Sequence, residues 1–389
     1  MNRVAAVVLA GGASRRFGTD KLAAVVDGLP LLDRAVGALP AEVTLIISGP
    51  ERPLRRPATF VREDPVGGGP AAALVAGLRR ALRTPVDAVL VFPADAPLGG
   101  QAALILLQQL RDRPDVGAVV GSDADGREQP LQLALRPKAA AALVRAAGPT
   151  AGSGASARRL LHTLEPPAVP HRLDAVEVFD IDTSEQQRTW QLRSSAAVKS
   201  LLAAVATTAR KTGPLVVALD GRSGTGKSTL AAALALEMEA GLVHGDDFYN
   251  PDLAQWAPEE RANLTDAEVA ESVFDWRRLR AEVLEPLVSG RPAIYSPYDW
   301  ERSDGSLGPV QRVEPGGLVV LEGVYAARPE LADLIDLAVQ VEVDPAVRQA
   351  RLAARPDDPS WTRFWERGED YYFRVVRPSE GFDLQVSGQ

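Results

Sequence analysis

The sequence predicts an α/β protein of two domains, each built on a mostly parallel sheet with helices on both faces. Three observations carry this. Short apolar, β-branched runs alternate with helical segments, and the alternation starts afresh in the second half of the chain. A glycine-rich loop directly follows the first such run of each half. The length of 389 residues suits two domains, each able to bury its own core.

In the first half the strand-type runs are 4–10 (VAAVVLA), 43–48 (VTLIIS), 86–92 (VDAVLVF) and 116–120 (VGAVV). Helical segments near 31–39, 70–83, 100–111, 138–147 and 156–164 separate or follow them. VEVFDID at 176–182 reads as a last strand or strand end, and 184–193 as the start of a helix. A small-residue loop, AAGPTAGSGASA, occupies 146–157. An alanine-rich helix over 194–212 leads into a new alternation: strand 215–220 (LVVALD), glycine loop, helix 227–240 and a short strand ending at GLVHGDDFY. A long helix follows, opened by the capping box Thr265-Asp266-Ala267-Glu268. Further buried-strand candidates are 316–326, 337–344 and the tail FDLQVSG. The expected organisation is a domain over 1–190, a helical connection over 191–212 and a second domain over 213–389.

Composition narrows the chemistry. The absence of cysteine excludes disulfides, thiol nucleophiles and cysteine-ligated metals, and suits a reducing cytosol. The opening MNRVAAVVLAGG reads as a buried strand rather than a leader, because its apolar run is brief and enters a glycine-arginine loop. No apolar run approaches the ~20 residues that span a bilayer. A cytoplasmic location with no membrane partner is the expectation. Through Trp190 there are 22 basic and 20 acidic residues, and afterwards 21 and 31, giving +2 and −10. An acidic second half argues against a nucleic-acid partner, since a phosphate backbone needs a basic footprint. Only 5 of the 43 basic residues are lysine, yet Lys21 and Lys227 both sit in glycine loops, where a compact point charge is useful.

The first loop, LAGGASRRFGTDK at 9–21, lets backbone amides at Gly11, Gly12 and Gly18 approach phosphate closely, with Arg16 and Lys21 to neutralise it. Asp95 stands just after a buried strand, where a carboxylate can hold Mg²⁺. The order of LAGG-x-S-x-R-F-G-x-D-K, DPVGGGPAAAL (64–74), VFPADAP (91–97), EQPLQLAL (128–135), SARRLL (156–161) and FDIDTSE (179–185) resembles the nucleotidyltransferase family that includes molybdenum cofactor guanylyltransferase. The resemblance implies a Rossmann-like nucleotidyltransferase sheet that joins an NTP α-phosphorus to an acceptor phosphate and releases pyrophosphate. GTP is the implied nucleotide and a molybdopterin-like compound the implied acceptor. It assigns Lys21 and Asp95 to catalysis, and Asp95 and Asp182, with Asp180 beside it, to the metal. Leu9, Gly11, Gly12, Arg16, Lys21, Asp64 and Gly69 are assigned to the nucleotide. The loop after Asp64 reads Gly-Pro-Ala-Ala-Ala where the family usually has Gly-Pro-Leu-Ala-Gly, a departure near the nucleobase.

The second loop, GRSGTGKST at 221–229, fits G-x-x-x-x-G-K-[ST] between a strand and a helix, as the motif requires. Amides around Gly221, Gly224, Gly226 and Thr229 can cradle phosphates, Lys227 can reach the β and γ phosphates, and Ser228 can ligate Mg²⁺. Together with GDDFY (245–249), YSPYDW (295–300), VVLEGVYA (319–326) and Arg348, Arg351 and Arg355, it resembles the uridine kinase-like P-loop family. That resemblance implies a P-loop NTPase/kinase fold with ATP as phosphoryl donor and a small-molecule acceptor. It makes Asp246 the catalytic carboxylate, Glu322 a metal-site acid, and Asp299, Tyr249 and Arg351 substrate contacts. Tyr298-Asp299-Trp300 is followed by ERSDGS, without the histidine usual in the family's nucleoside kinases. Two readings follow: a nucleotidyltransferase fused to a small-molecule kinase, or a nucleotidyltransferase whose P-loop half is a nucleotide-binding regulator or scaffold.

Overall fold

A computed structural model describes residues 3–11, 17–211, 213–354 and 359–388. The chain divides into two compact units, Met1–Trp190 and Gln191–Gln389, each mixed α/β.

The first unit holds a seven-stranded sheet in the order Thr59–Val61, Thr44–Ser48, Val4–Leu9, Ala88–Pro93, Glu128–Leu135, Ala118–Ser122, Val169–Arg172. Its first four strands are parallel. Glu128–Leu135, which the sequence marks as a motif rather than a strand, runs antiparallel between Ala88–Pro93 and Ala118–Ser122. Strand Val4–Leu9 is buried throughout, which is why it reads as a continuous apolar run. Its residues still divide by face. Val4, Ala6 and Val8 pack with helices Leu31–Val36 and Gly99–Asp112, whereas Ala5, Val7 and Leu9 pack with helices Pro70–Ala81 and Pro137–Ala146. Gly77 permits the close approach on that second face, since a Cβ there would lie 2.2 Å from Val7 Cγ1.

Two expectations are corrected. Residues 176–182 are not a strand: Ala175–Val178 form one helical turn, and an irregular segment follows. The Glu177 carboxylate accepts the Asp174 N–H at 3.0 Å and closes the turn, while the Ile181 N–H bonds Asp95 O at 2.9 Å rather than a strand edge. The helix opened by Thr265 is short, Asp266–Ser272, although its capping box forms as expected. It stops because the next residues find other backbone partners. Val273 O accepts Asn250 N–H at 2.9 Å and Asp275 N–H bonds Phe248 O at 2.8 Å, after which Asp275 caps a new helical run by accepting Arg278 N–H.

The second unit carries a five-stranded parallel sheet in the order Gly241–His244, Leu318–Glu322, Leu215–Asp220, Leu337–Glu342, Leu384–Ser387. Val216 and Ala218 face the helical run after Asp275, and Val217 and Leu219 face helices Ala196–Thr207 and Lys227–Met238. The phosphate-binding candidates therefore stand at the carboxyl ends of the central strands, where ligands of parallel sheets bind. Among the described residues, no helix is long and apolar enough to cross a membrane.

Candidate nucleotide sites in the two units

In the first unit, Asp95 follows strand Ala88–Pro93 and Lys21 opens a 3₁₀ turn capped by Asp20, whose carboxylate accepts Leu22 N–H. Lys21 Nζ donates to Asp95 Oδ2 at 2.6 Å and to Asp182 Oδ1 at 2.5 Å. Burial opposes the Lys21 charge, but the bonds to Asp182 and Asp95 outweigh it and hold the ammonium above its ordinary pKa. Asp180 is pushed up by burial and by the neighbouring Asp95 and Asp182 charges. The irregular segment that replaces the expected strand is what aims these acids. Ile181 is fully buried and bonded to the Asp95 carbonyl, and Gln186 Oε1 accepts Asp182 N–H at 2.8 Å.

The remaining candidates of this unit surround that cluster unevenly. Leu9 ends its strand with its carbonyl accepting Ala94 N–H, directly before Asp95. Gly11 is exposed; Gly12 and Arg16 lie outside the described residues. Asp64 is exposed on a loop whose closure comes from its neighbour, as Glu63 Oε1 accepts Gly67 N–H at 3.0 Å. Gly69 precedes helix Pro70–Ala81 at φ +89°, a conformation that disfavours side chains. Gly154 N–H bonds Gly68 O, so the small-residue loop at 146–157 packs beside this glycine turn. Sequence reasoning missed Arg52, which grips both oxygens of Asp20 at 2.9 and 3.0 Å and so steadies the turn bearing Lys21.

In the second unit, Gly221–Thr229 links strand Leu215–Asp220 to helix Lys227–Met238. Gly224 and Gly226 hold φ +84° and +92°, and a Cβ on Gly226 would meet Gly388 O at 2.8 Å. Only glycine fits there without strain. Lys227 is buried and its Nζ rests on Arg222 O at 2.9 Å. Ser228 Oγ donates to Glu322 Oε2 at 3.1 Å, and the other Glu322 oxygen bonds His244 Nδ1 at 2.7 Å. Register explains the triad, because Glu322 is the Cα partner of both Leu219 and His244 on flanking strands. Thr229 lies in the first turn of the helix.

Asp246 follows two residues after His244 in a 3₁₀ turn. Solvent reaches its carboxylate, yet protein crowds it on the other sides, as at the floor of a cleft. That crowding and the Glu322 charge raise its pKa to about 6, against the pull of Lys227 and His244. The hydrogen bond to Glu322 in turn holds His244 above its ordinary value. The GDDFY and YSPYDW segments meet: Tyr298 N–H bonds Asp247 O at 2.7 Å, Trp300 Nε1–H bonds Asp246 O at 3.2 Å, and Tyr295 O–H donates to Asp247 at 2.9 Å. Tyr249 is buried against Tyr298 and Trp300, with ring centroids 5.0 and 4.8 Å away. Asp299 Oδ1 accepts the amides of Glu301 and Arg302, shaping its own turn. Arg351 donates to Gly224 O and Gly388 O, so it grips the phosphate loop from outside. Arg355 lies outside the described residues.

Residues 6–168 match the family model of the MobA-like NTP transferase domain. A uridine kinase of Halobacterium salinarum is 34% identical over 165 residues, covering 42% of this chain and 71% of the relative. A uridine kinase of Geobacillus kaustophilus is 32% identical over 169 residues, covering 42% of the chain and 77% of the relative. The chain belongs to the uridine kinase family. The MobA-like match lies in the half that holds Lys21 and Asp95. Among solved structures, a possible uridine kinase from Bacillus stearothermophilus aligns with TM-score 0.39 and 20% identity, covering 49% of this chain and 97% of that one. Molybdopterin-guanine dinucleotide biosynthesis protein A from Archaeoglobus fulgidus aligns with TM-score 0.38 and 18% identity, covering 48% and 96%. The protein is thus a two-part transferase of nucleotide-using families.

Both sites suit Mg²⁺ by donor chemistry. In the first unit two carboxylates from separate segments converge on one cation, the Lys21 ammonium. In the second, the Ser228 hydroxyl and the Glu322 carboxylate lie together. Among the described residues no group of three or more acids and histidines is placed to hold a metal. Sparse hard-oxygen sets of this kind leave the rest of the shell to water and phosphate, the usual arrangement for Mg²⁺.

Proposed function

We propose that the protein is a bifunctional enzyme: NTP-dependent nucleotidyl transfer in the first unit, with GTP and a molybdopterin-like acceptor, and ATP-dependent phosphorylation of a small molecule in the second. The observation that carries the first activity is the Asp95–Lys21–Asp182 cluster within a MobA-like match. Asp95 and Asp182 would hold Mg²⁺, which neutralises charge on the phosphates when bound. An acceptor phosphate oxygen attacks the α-phosphorus, the α–β bridge breaks, and pyrophosphate leaves. Lys21 would neutralise the charge that develops on the phosphates. Leu9, Gly11, Asp64 and Gly69 would contact the nucleotide in this reading, as would Gly12 and Arg16, which lie outside the described residues.

In the second unit the carrying observation is Asp246 beside the Ser228–Glu322–His244 chain. Ser228 and Glu322 would hold Mg²⁺. Asp246 takes the proton of an acceptor hydroxyl as its oxygen attacks the γ-phosphorus, and ADP leaves. Lys227, resting on a carbonyl rather than a carboxylate, is readily released to the phosphates. A pKa near 6 leaves Asp246 ionised at neutral pH and closer to a hydroxyl's needs than an ordinary aspartate. The curated relatives are named as uridine kinases, so uridine is the first acceptor to test. Tyr249, Tyr298 and Trp300 supply an aromatic wall with Asp299 beside it in sequence, while Arg351 holds the phosphate loop through the Gly224 carbonyl.

Pyrophosphate release from GTP, CTP, ATP and UTP with Mg²⁺ and molybdopterin tests the first activity. Turnover with GTP that disappears in Asp95→Ala supports it, and no turnover from nucleotide-binding protein sinks it. ADP formation from ATP with uridine and other hydroxyl acceptors tests the second. Loss in Asp246→Asn with nucleotide binding retained supports a kinase, whereas no acceptor-dependent turnover favours a nucleotide-binding regulator.

A further inference from the structure

Helix Pro359–Tyr371 and the turn after it bring four side chains against the base of the phosphate loop. Glu369 is 2% exposed, and its Oε1 accepts both the N–H and the Oγ–H of Ser223, at 3.1 and 2.5 Å. Its Oε2 faces the Arg348 guanidinium at 3.3 Å, while Arg348 Nε donates to Ser223 O at 2.9 Å. Glu366 stands 3.5 Å from the same guanidinium. Asp370 pairs with Arg222 at 2.5 Å. Tyr372 O–H donates to the buried Asp220 carboxylate at 2.8 Å.

The Arg222–Ser223 peptide links these bonds to chemistry. In a trans peptide the N–H and the preceding C=O point opposite ways. Glu369 holds the Ser223 N–H outward, so the Arg222 carbonyl turns into the loop. There it accepts Lys227 Nζ at 2.9 Å and Thr225 Oγ1 at 2.9 Å. The carboxylate behind the loop thus fixes the acceptor on which the loop lysine rests. Arg348 and Arg351 hold the next two carbonyls, of Ser223 and Gly224, from the outer side. The following amide, of Gly224, consequently points away from Arg348.

We propose that Glu369 is a positioning residue of the phosphate loop, which sets affinity for nucleotide phosphates through the Ser223 peptide without touching them. This rests on the reading of the second unit as a nucleotide-binding kinase. Ser223 and Arg348 lie within its reach and Lys227 is touched only through the Arg222 carbonyl, and its burial leaves it no other task at the surface. Pre-forming the loop removes ordering cost from binding. Because only the phosphate portion is affected, the base and sugar of a nucleotide should bind as before.

The test measures affinity of the full-length protein for MgADP and, separately, for adenosine by calorimetry, in wild type, Glu369→Ala and Glu369→Gln. Glu369→Ala should weaken MgADP about tenfold, the scale of one lost charge-assisted hydrogen bond, with adenosine unchanged. Glu369→Gln keeps an oxygen for Ser223 but loses the charge facing Arg348, and should fall between. If Glu369→Ala does not fold, the glutamine variant decides by the same ratio. Equal MgADP affinity in folded variant and wild type overturns the proposal, as does a proportional loss of adenosine and MgADP. Wild-type protein that binds no MgADP overturns the kinase reading and this proposal with it, an outcome distinct from a silent variant.

Discussion

Replacing Asp246 by asparagine should stabilise the second unit while abolishing phosphoryl transfer. The Asp246 carboxyl is raised from 3.8 to about 6 by crowding and by Glu322, with no hydrogen bond to offset it. The folded state therefore holds this proton more tightly than the unfolded chain does. By linkage, the group's contribution to stability falls as pH rises from about 4 to about 6 and stays at its lower level above that. Two pKa units at 1.36 kcal/mol each give about 3 kcal/mol. Solvent reaches the carboxylate, so screening reduces this to about 1 kcal/mol. Asparagine has nearly the same shape and no charge to lose. At pH 7.5 Asp246→Asn should raise the melting temperature of the second unit by about 2–4 °C, shrinking toward zero near pH 4. Two units can melt separately, so the relevant transition is the one that moves with MgADP. Acceptor-dependent ADP formation should fall about 10²–10⁴-fold. An Asp246→Asn protein no more stable than wild type at pH 7.5, or a difference that ignores pH, would refute the electrostatic reasoning.

Three other perturbations probe separate parts of the chain. Lys21→Ala leaves Asp95 and Asp182 without their shared cation, so pyrophosphate release should drop about 10²-fold or more while MgADP binding in the second unit is unchanged. Tyr372→Phe takes one donor from the buried Asp220, costing about 1.5–3 kcal/mol when that group is ionised. Because a protonated carboxyl does not need that donor, the loss read by urea unfolding should shrink as pH falls and the burial-raised Asp220 takes up its proton, and Asp220 should rise further in the variant. Gly77→Ala puts a methyl 2.2 Å from Val7 Cγ1, on a stiff side chain in a central strand, so the first unit should lose about 1–3 kcal/mol with the MgADP-shifted transition unmoved.

The sequence makes the central strands legible because both faces of each are covered. Val4–Leu9 and Leu215–Asp220 are apolar at every position up to their ends, and a glycine loop follows each. It hides elements whose partners are distant. Glu128–Leu135 starts polar and half-exposed before its buried end, so its pattern is weak, and its direction is set by neighbours on both sides. The segment before Asp182 has the β-branched, aromatic look of a strand, but the capping box of Asp174 and Glu177, with backbone bonds from Glu177 and Val178 to Asp174 O, turns its start into a helix. Phosphate-loop residues are readable because amides, a lysine and a hydroxyl must follow one another at fixed spacing. His244 and Glu322 are 78 residues apart and meet only through strand register. Glu369, 146 residues beyond Ser223, carries no local signal at all.

The two lysines show why one fold class houses two different grips. Lys21 is held by two carboxylates, and the Asp180 beside them is pushed toward its neutral form by the same crowding. Such a site is charge-dense before any ligand arrives, and a triphosphate can enter only if its own charge is met by more cation than Lys21 supplies. On this reasoning the acids would make the first site dependent on a metal partner. Lys227 rests on a neutral carbonyl, held in place by a buried acid behind the loop. Releasing it costs one modest hydrogen bond rather than two ion pairs, so phosphates alone can recruit it. Nucleotide binding without Mg²⁺ should accordingly survive in the second unit and fail in the first. Calorimetry with GTP and ADP in EDTA reads this directly, and tight GTP binding that persists in Asp246→Asn/Lys227→Ala protein without metal would overturn it.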